Sequence, residues 1–99
     1  VAIQLQPKNA YTYYNRGNLF AAEKNYTRAI ADYTHAISLD PNMAQAYYNR
    51  AVAHFYSGDI KSAQSDLSHA GELGLYNAYA LSKKMSEAQP KKKQSQAKK

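Results

Sequence analysis

The sequence has no cysteine and no tryptophan among its 99 residues. Without cysteine it forms no disulfide and no thiolate metal site, and its compartment cannot be read from redox usage. No apolar run approaches the ~20 residues that a membrane-spanning helix needs. The opening Val-Ala-Ile-Gln-Leu-Gln-Pro has neither the basic region nor the apolar stretch of a signal peptide. It also lacks a starting Met, so the chain reads as a piece of a longer one. Catalytic constellations are missing too. There is no Ser-His-Asp pattern in motif context, no phosphate-cradling Gly-rich loop and no helical HExxH. Neither enzymatic activity nor a cofactor is expected, and a cytoplasmic setting fits.

Acids are absent from residues 91–99, which hold Lys91, Lys92, Lys93, Lys98 and Lys99. That stretch carries most of the formal charge of +6, so the rest is nearly neutral. Basicity is a property of the tail, and residues 90–99 are expected to be disordered and solvated. A weaker expectation is contact with nucleic acid or an anionic surface. The tail has no Arg and no interleaved aromatics, which argues against base recognition.

What the sequence does have is ten tyrosines and a period. Shifted by 34, residues 10–43 fall on residues 44–77 without a gap. Ala10, Tyr13, Tyr14, Asn15, Arg16, Ala29, Asp32, His35, Ala36 and Leu39 meet identical residues at 44, 47, 48, 49, 50, 63, 66, 69, 70 and 73. These identities cluster at spacings of three, four and seven, the spacing of one helix face. The register extends outward. Ala2, Ile3, Leu5 and Pro7 align with Ala36, Ile37, Leu39 and Pro41, so residues 1–7 read as the remnant of an earlier repeat. Residues 10–43 and 44–77 are two repeats, and residues 78–89 begin another as a capping helix.

Each repeat divides into two helices at a polar turn, Glu23-Lys24-Asn25 and Ser57-Gly58-Asp59. Asn25 and Asp59 are placed to cap the helices that follow. Pro41 lacks the amide that would continue a helix and disfavours helix at Asp40. The pattern predicts helices over 10–23, 26–39, 44–57, 60–73 and 78–89.

These residues resemble the tetratricopeptide repeat family, whose pattern is W-x2-L-G-x2-Y, then A-x3-F, then P. Here it reads Tyr13-x2-Arg16-Gly17-x2-Phe20, Ala29-x3-Tyr33 and Pro41. The second copy reads Tyr47-x2-Arg50-Ala51-x2-His54 and Ala63-x3-Leu67, with Leu75 at the proline place. Gly17 or Ala51 facing Ala29 or Ala63 lets paired helices approach closely. Arg16 and Arg50 replace the usual Leu, and their stems can cover apolar surface while the guanidinium reaches solvent or an acid. The resemblance implies an all-α, right-handed helical-repeat solenoid of antiparallel helix pairs with a C-terminal capping helix, and places the chain in the C-terminal portion of a longer repeat protein. Gly71, Gly74 and Leu75 suggest that the second repeat ends differently from the first.

In this family the first helices of successive repeats line a concave groove that binds peptides. Carried across, the groove face is Tyr11, Tyr14, Asn15, Asn18, Ala21 and Ala22, then Gln45, Tyr48, Asn49, Val52, Phe55 and Tyr56, then Tyr79 and Lys83. Aromatic rings supply area and amides pair with a ligand main chain. One variety, the carboxylate clamp, holds the C-terminus of heat-shock chaperones with five polar residues. Asn18 and Asn49 match it, Lys83 stands where an Arg belongs, and Tyr14 and Tyr79 occupy the two Lys places. The clamp is therefore incomplete. The bland readings are that Tyr13 and Tyr47 pack the core, that His54 is a partly buried structural residue, and that Asn15 and Asn49 bond within the groove wall. His35 and His69 recur at equivalent places, but no third ligand repeats with them, so no metal site is expected. The expected partner is a protein or peptide. The alternative is self-assembly into a homo-oligomer through an open N-terminal edge carrying Leu19 and Phe20.

Overall fold

The computed structural model describes residues 9–88. The expectations for residues 1–7 and 90–99 lie outside that range. Among the described residues there are five helices and no strand: α1 Ala10–Ala22, α2 Tyr26–Leu39, α3 Ala44–Tyr56, α4 Ile60–Glu72 and α5 Asn77–Ala88. From the start of α1 to the start of α5 every boundary falls within one residue of the spacing-based expectation, and the expected end of α5 at residue 89 lies outside the described residues. Consecutive helices pack against one another, so α1–α2 and α3–α4 form two pairs and α5 covers the second.

The starts follow capping chemistry. The Asn25 side chain accepts from the Arg28 amide at 3.4 Å and the Asp59 carboxylate accepts from the Ser62 amide at 3.1 Å. Bonding to Ser62 holds the Asp59 carboxyl below the ordinary carboxylate range. Asn9 caps α1 in the same way, accepting from the Tyr11 amide at 2.8 Å. Each satisfies one of the free amides of a helix N-terminus. The turn inside each pair needs a left-handed residue. Gly58 supplies it in the second pair at φ 97°, and Lys24 takes the equivalent place in the first at φ 65°.

The core is built of alanine around two large side chains. Ala29, Ala36, Ala46, Ala51, Ala53, Ala63, Ala70 and Ala78 are all buried. Among the described residues only Tyr33 and Leu67 are both large and fully buried, and they stand 34 residues apart. Gly17 makes room for the first: a Cβ there would lie 2.8 Å from Tyr33 Cε1. In the second pair the partner is the smaller Leu67, and Ala51 fits.

Four of the repeated identities form one unit in each pair. The Arg16 guanidinium donates twice to Asp32, at 2.8 and 2.9 Å, and Arg50 donates twice to Asp66 at 2.8 Å. Each carboxylate raises the pKa of its arginine. The same arginines lie over Tyr13 and Tyr47, at 5.8 and 5.6 Å from the ring centroids. His35 and His69 stack on those rings at 4.2 and 4.3 Å. Bidentate pairing and ring stacking thus fasten the two helices of a pair. Arg50 also donates to Thr34 of the preceding pair at 3.1 Å.

The last helix departs from the 34-residue register. Ala53 of α3 packs with Ala29 and Tyr33, and Ala46 with Ala36. On α5 the buried residues, seven apart as Ala46 and Ala53 are, are Ala78 and Met85, which share one cluster with Ala63, Leu67 and Ala70. The offset is 32. At an offset of 34 those places would fall to Glu87 and Ala80, both exposed. The cause is the junction. Helix α4 closes with the Leu75 amide bonded to the Ala70 carbonyl and the Gly74 amide to the Gly71 carbonyl, both at 3.0 Å, with Gly74 at φ 111°. This glycine-closed end replaces the Asp40-Pro41 break after α2 and sets α5 on a different face.

Candidate functional site

Three adjoining cavities run along α1, α3 and α5. The first, about 240 Å³, lies between the pairs and is lined by Asn18, Ala21, Tyr26, Tyr33, Asn49, Val52, Ala53 and Tyr56. The second, about 220 Å³, is lined by Val52, Phe55, Tyr56, Leu81, Lys84 and Met85. The third, about 230 Å³, is lined by Tyr14, Gln45, Tyr48, Asn49, Leu75 and Asn77. Asn49 belongs to the first and third, and Val52 and Tyr56 to the first and second, so the face is continuous.

The first and second cavities are the same place one repeat apart. Asn18 and Ala21 recur as Val52 and Phe55 at an offset of 34; Asn49, Val52 and Ala53 recur as Leu81, Lys84 and Met85 at 32. Position for position, the asparagine pair of one cavity becomes Val52 and Leu81 in the next. The first is polar and the second apolar.

A closed network holds the polar cavity. The Asn49 Nδ2 donates to Tyr14 Oη at 3.1 Å and to Asn18 Oδ1 at 3.0 Å. Asn18 Oδ1 also accepts from the Tyr33 hydroxyl. Burial pushes the Tyr33 phenol up to about 12, which keeps it a neutral donor. Tyr26 stacks on Tyr56 at 5.5 Å and Phe55 meets Tyr56 edge-on at 5.6 Å, so an aromatic ridge divides the two cavities. No residue lining the three cavities is acidic, and the one cation is Lys84.

Of the residues anticipated from the sequence, Tyr14, Asn18, Ala21, Gln45, Tyr48, Asn49, Val52, Phe55 and Tyr56 come together on this face. Tyr11 is exposed and sits edge-on to Tyr14 at 5.9 Å. Asn15 and Ala22 are exposed and line none of the three cavities. The two anticipated from α5 are placed elsewhere by its 32-residue offset. Tyr79 lies against α4, where a Cβ on Gly71 would run into its ring, and Lys83 is exposed away from the three cavities. Asn77, Leu81, Lys84 and Met85 take their places. Gly71 and Gly74 were the available signal for that change. Tyr26 and Tyr33 of α2 complete the wall, a contribution of the second helix that the family's first-helix groove does not imply.

Among the described residues no helix is long and apolar enough to cross a membrane, and no group of three His, Asp or Glu could hold a metal ion. His54, half-buried, lies 3.8 Å from Asp66 and 4.0 Å from Asp59 and is part of the packing beside the Arg50–Asp66 pair.

A TPR repeat model matches residues 17–58 and a tetratricopeptide repeat model matches residues 44–73. One similar solved structure is the first TPR of Spaghetti (RPAP3) bound to the HSP90 peptide SRMEEVD. It is 26% identical, with a TM-score of 0.77, over 83% of this chain and 67% of that one. No curated protein matches the sequence.

Proposed function

Because the chain belongs to the tetratricopeptide repeat family, a family of protein-interaction modules, we propose that it binds an extended peptide segment of a partner protein along α1, α3 and α5. The observation that carries this reading is the continuity of the three cavities, joined through Asn49, Val52 and Tyr56. Binding sites are concave, largely apolar and furnished with a few convergent polar groups. This face combines an aromatic ridge, an apolar hollow and an amide network in one line. The similar Spaghetti domain holds its peptide on the same fold, which supports a peptide as the ligand class.

The test is selection of random peptides on the intact chain, followed by titration against Val52→Glu. Val52 is half-buried and lines both the polar and the apolar cavity, so a charge there enters both. Selected peptides are expected to bind the wild type and to lose at least about tenfold on the variant, with unchanged helical circular dichroism. Failure to select any peptide, or equal affinity for both proteins, removes the reading.

A second reading has its own observation. Leu19 is 66% exposed, whereas its counterpart Ala53 is 1% exposed, and Tyr11 on the same helix is open as well. An apolar helix face of this kind suits self-association. Sedimentation velocity over a concentration series decides it: a monomer throughout, with Leu19→Asp indistinguishable from wild type, ends that reading.

A further inference from the structure

One face of α1 carries a line of side chains that is complementary to itself. Thr12, Arg16, Leu19 and Glu23 follow one another at spacings of four, three and four, which sets them in one stripe along the helix. All four are exposed, and none of them lines the three cavities of the groove.

The second pair shows what such a stripe does when it has a neighbour. Ala46 and Ala53, the counterparts of Thr12 and Leu19, are buried against the first pair. Arg50 keeps both bonds to Asp66 and spends its Nη1 on Thr34 across the junction. Arg16 bonds Asp32 through Nε and Nη2 and has no third partner among the described residues. Glu23 enters none of the ion pairs among them. In the second pair Ser57 holds the place of Glu23, so the acid belongs to the open stripe alone. An outward-facing donor and an unmatched carboxylate therefore stand on either side of an exposed leucine.

The midpoint between Arg16 and Glu23 falls beside Leu19. Two copies of α1 laid antiparallel about that point bring each Arg16 to Glu23 of the partner subunit, and bring the two Leu19 side chains together. A two-fold contact must pair residue i with j and j with i, and this stripe does so. Resting on the self-association reading above, we propose that the face is occupied by a second copy of this chain, in an antiparallel α1–α1 contact centred on Leu19 and fastened by two Arg16–Glu23 pairs. The side of α2 that meets α3, with Ala29, Tyr33, Thr34 and Ala36, carries no charge. A helix of that kind would leave Glu23 unmatched, whereas a second α1 matches it. One helix face is a small contact, so the dimer is weak and concentration-dependent. It leaves both grooves open and thus offers a partner two binding sites at once.

Sedimentation equilibrium of the intact chain over a concentration series tests this, beside Leu19→Asp, Glu23→Arg and Glu72→Arg. Glu72, exposed at the end of α4, gives the same change of net charge away from the stripe. The wild type is expected to dimerise and Leu19→Asp to stay monomeric, with unchanged helical circular dichroism. Glu23→Arg turns two attractive pairs into two repulsive ones and should weaken the dimer about tenfold, whereas Glu72→Arg should stay within about threefold of wild type. The gap between these two variants should narrow as salt is raised. A dimer broken by Leu19→Asp that treats Glu23→Arg and Glu72→Arg alike overturns the antiparallel pairing and leaves self-association standing. A wild type that is monomeric throughout, as it would be with another segment of the chain over Leu19, overturns both. So does a dimer that Leu19→Asp leaves intact.

Discussion

The two helix pairs carry the same fastening and bury it differently. Arg16–Asp32 and Arg50–Asp66 have matching geometry, yet the Arg16 side chain is 59% exposed and that of Arg50 19%. Thr12 and Leu19 are exposed where Ala46 and Ala53 are buried. The difference is the neighbour. The second pair has α1–α2 against its first helix and α5 against its second, whereas no described helix packs on the corresponding face of α1. A repeat of this kind completes half its core with residues from the units beside it. The repeated residues therefore make the same contacts within each pair and are buried unequally between pairs.

The largest test of that comparison exchanges the crossing chemistry. The first pair uses Gly17 against Tyr33, the second Ala51 against Leu67. Gly17→Ala drives a Cβ into the Tyr33 ring and is expected to cost about 1–3 kcal/mol, as overpacking does. Adding Tyr33→Leu recreates the second pair's solution. The double variant should be less destabilised than the sum of the singles, a coupling that urea denaturation of all four proteins measures. Strict additivity would mean that the two sites do not share the crossing.

The Arg–Asp pairs come next. Arg50→Ala leaves Asp66 buried without its partner and removes the bond to Thr34, so a loss of about 1–2 kcal/mol is expected, below the full penalty of a broken buried pair because the guanidinium is partly solvated. Arg16→Ala should cost clearly less, since water already reaches its guanidinium. Equal midpoint shifts in denaturant would show that neighbour burial does not distinguish the pairs.

How far the sequence could be read follows the same division. Everything local or internal to a pair was legible: the five spans, the caps at Asn25 and Asp59, the small residues at the crossing. The identity of Arg16, Asp32 and His35 with Arg50, Asp66 and His69 was visible, and their assembly on Tyr13 and Tyr47 was not, because the one-dimensional pattern gives spacing along a helix and not rotamers. The tyrosine hydroxyl of Tyr33 entered the groove for the same reason. Of the expected groove residues that line none of the three cavities, Tyr11, Asn15 and Ala22 stand exposed on α1, and Tyr79 and Lys83 belong to α5. A 34-residue period predicts where that helix begins to within a residue, but its rotation is set by the closure at Gly71 and Gly74. Two residues of offset turn Tyr79 and Lys83 away and bring Leu81, Lys84 and Met85 in. The asparagine pair was legible as a partial clamp, but its opposed donor and acceptor sense required Tyr14 and Tyr33 to be in place.

A smaller effect sits at the turn. Lys24 holds a left-handed φ of 65° where the second pair has Gly58 at 97°. Side chains carry a steric cost in that region that glycine escapes. Lys24→Gly is expected to stabilise the chain by about 0.5–1 kcal/mol, seen as a higher denaturation midpoint. Gly58→Lys should lose a similar amount. A gain for both substitutions, or a loss for both, would break the equivalence of the two turns.

The last difference is silent at neutral pH. Tyr33 has its phenol raised from 10.0 to about 12 by burial, and its counterpart Leu67 cannot titrate. Folding favours the neutral phenol, so this contribution is fully present below pH 10. As pH rises from about 10 to about 12 the unfolded chain ionises Tyr33 while the folded chain resists, and stability falls across that window. The decline should be shallower in Tyr33→Phe, measured as the slope of unfolding free energy against pH between 10 and 12. The phenol is also the donor that holds Asn18 Oδ1, so its ionisation in the folded chain, near pH 12, removes one support of the polar cavity. Peptide binding in the wild type should therefore weaken only near the upper end of this window, at about pH 12, and ahead of any loss of helical signal. In Tyr33→Phe the two curves should fall together, and a wild type in which they already do so would show that Tyr33 acts on the core alone.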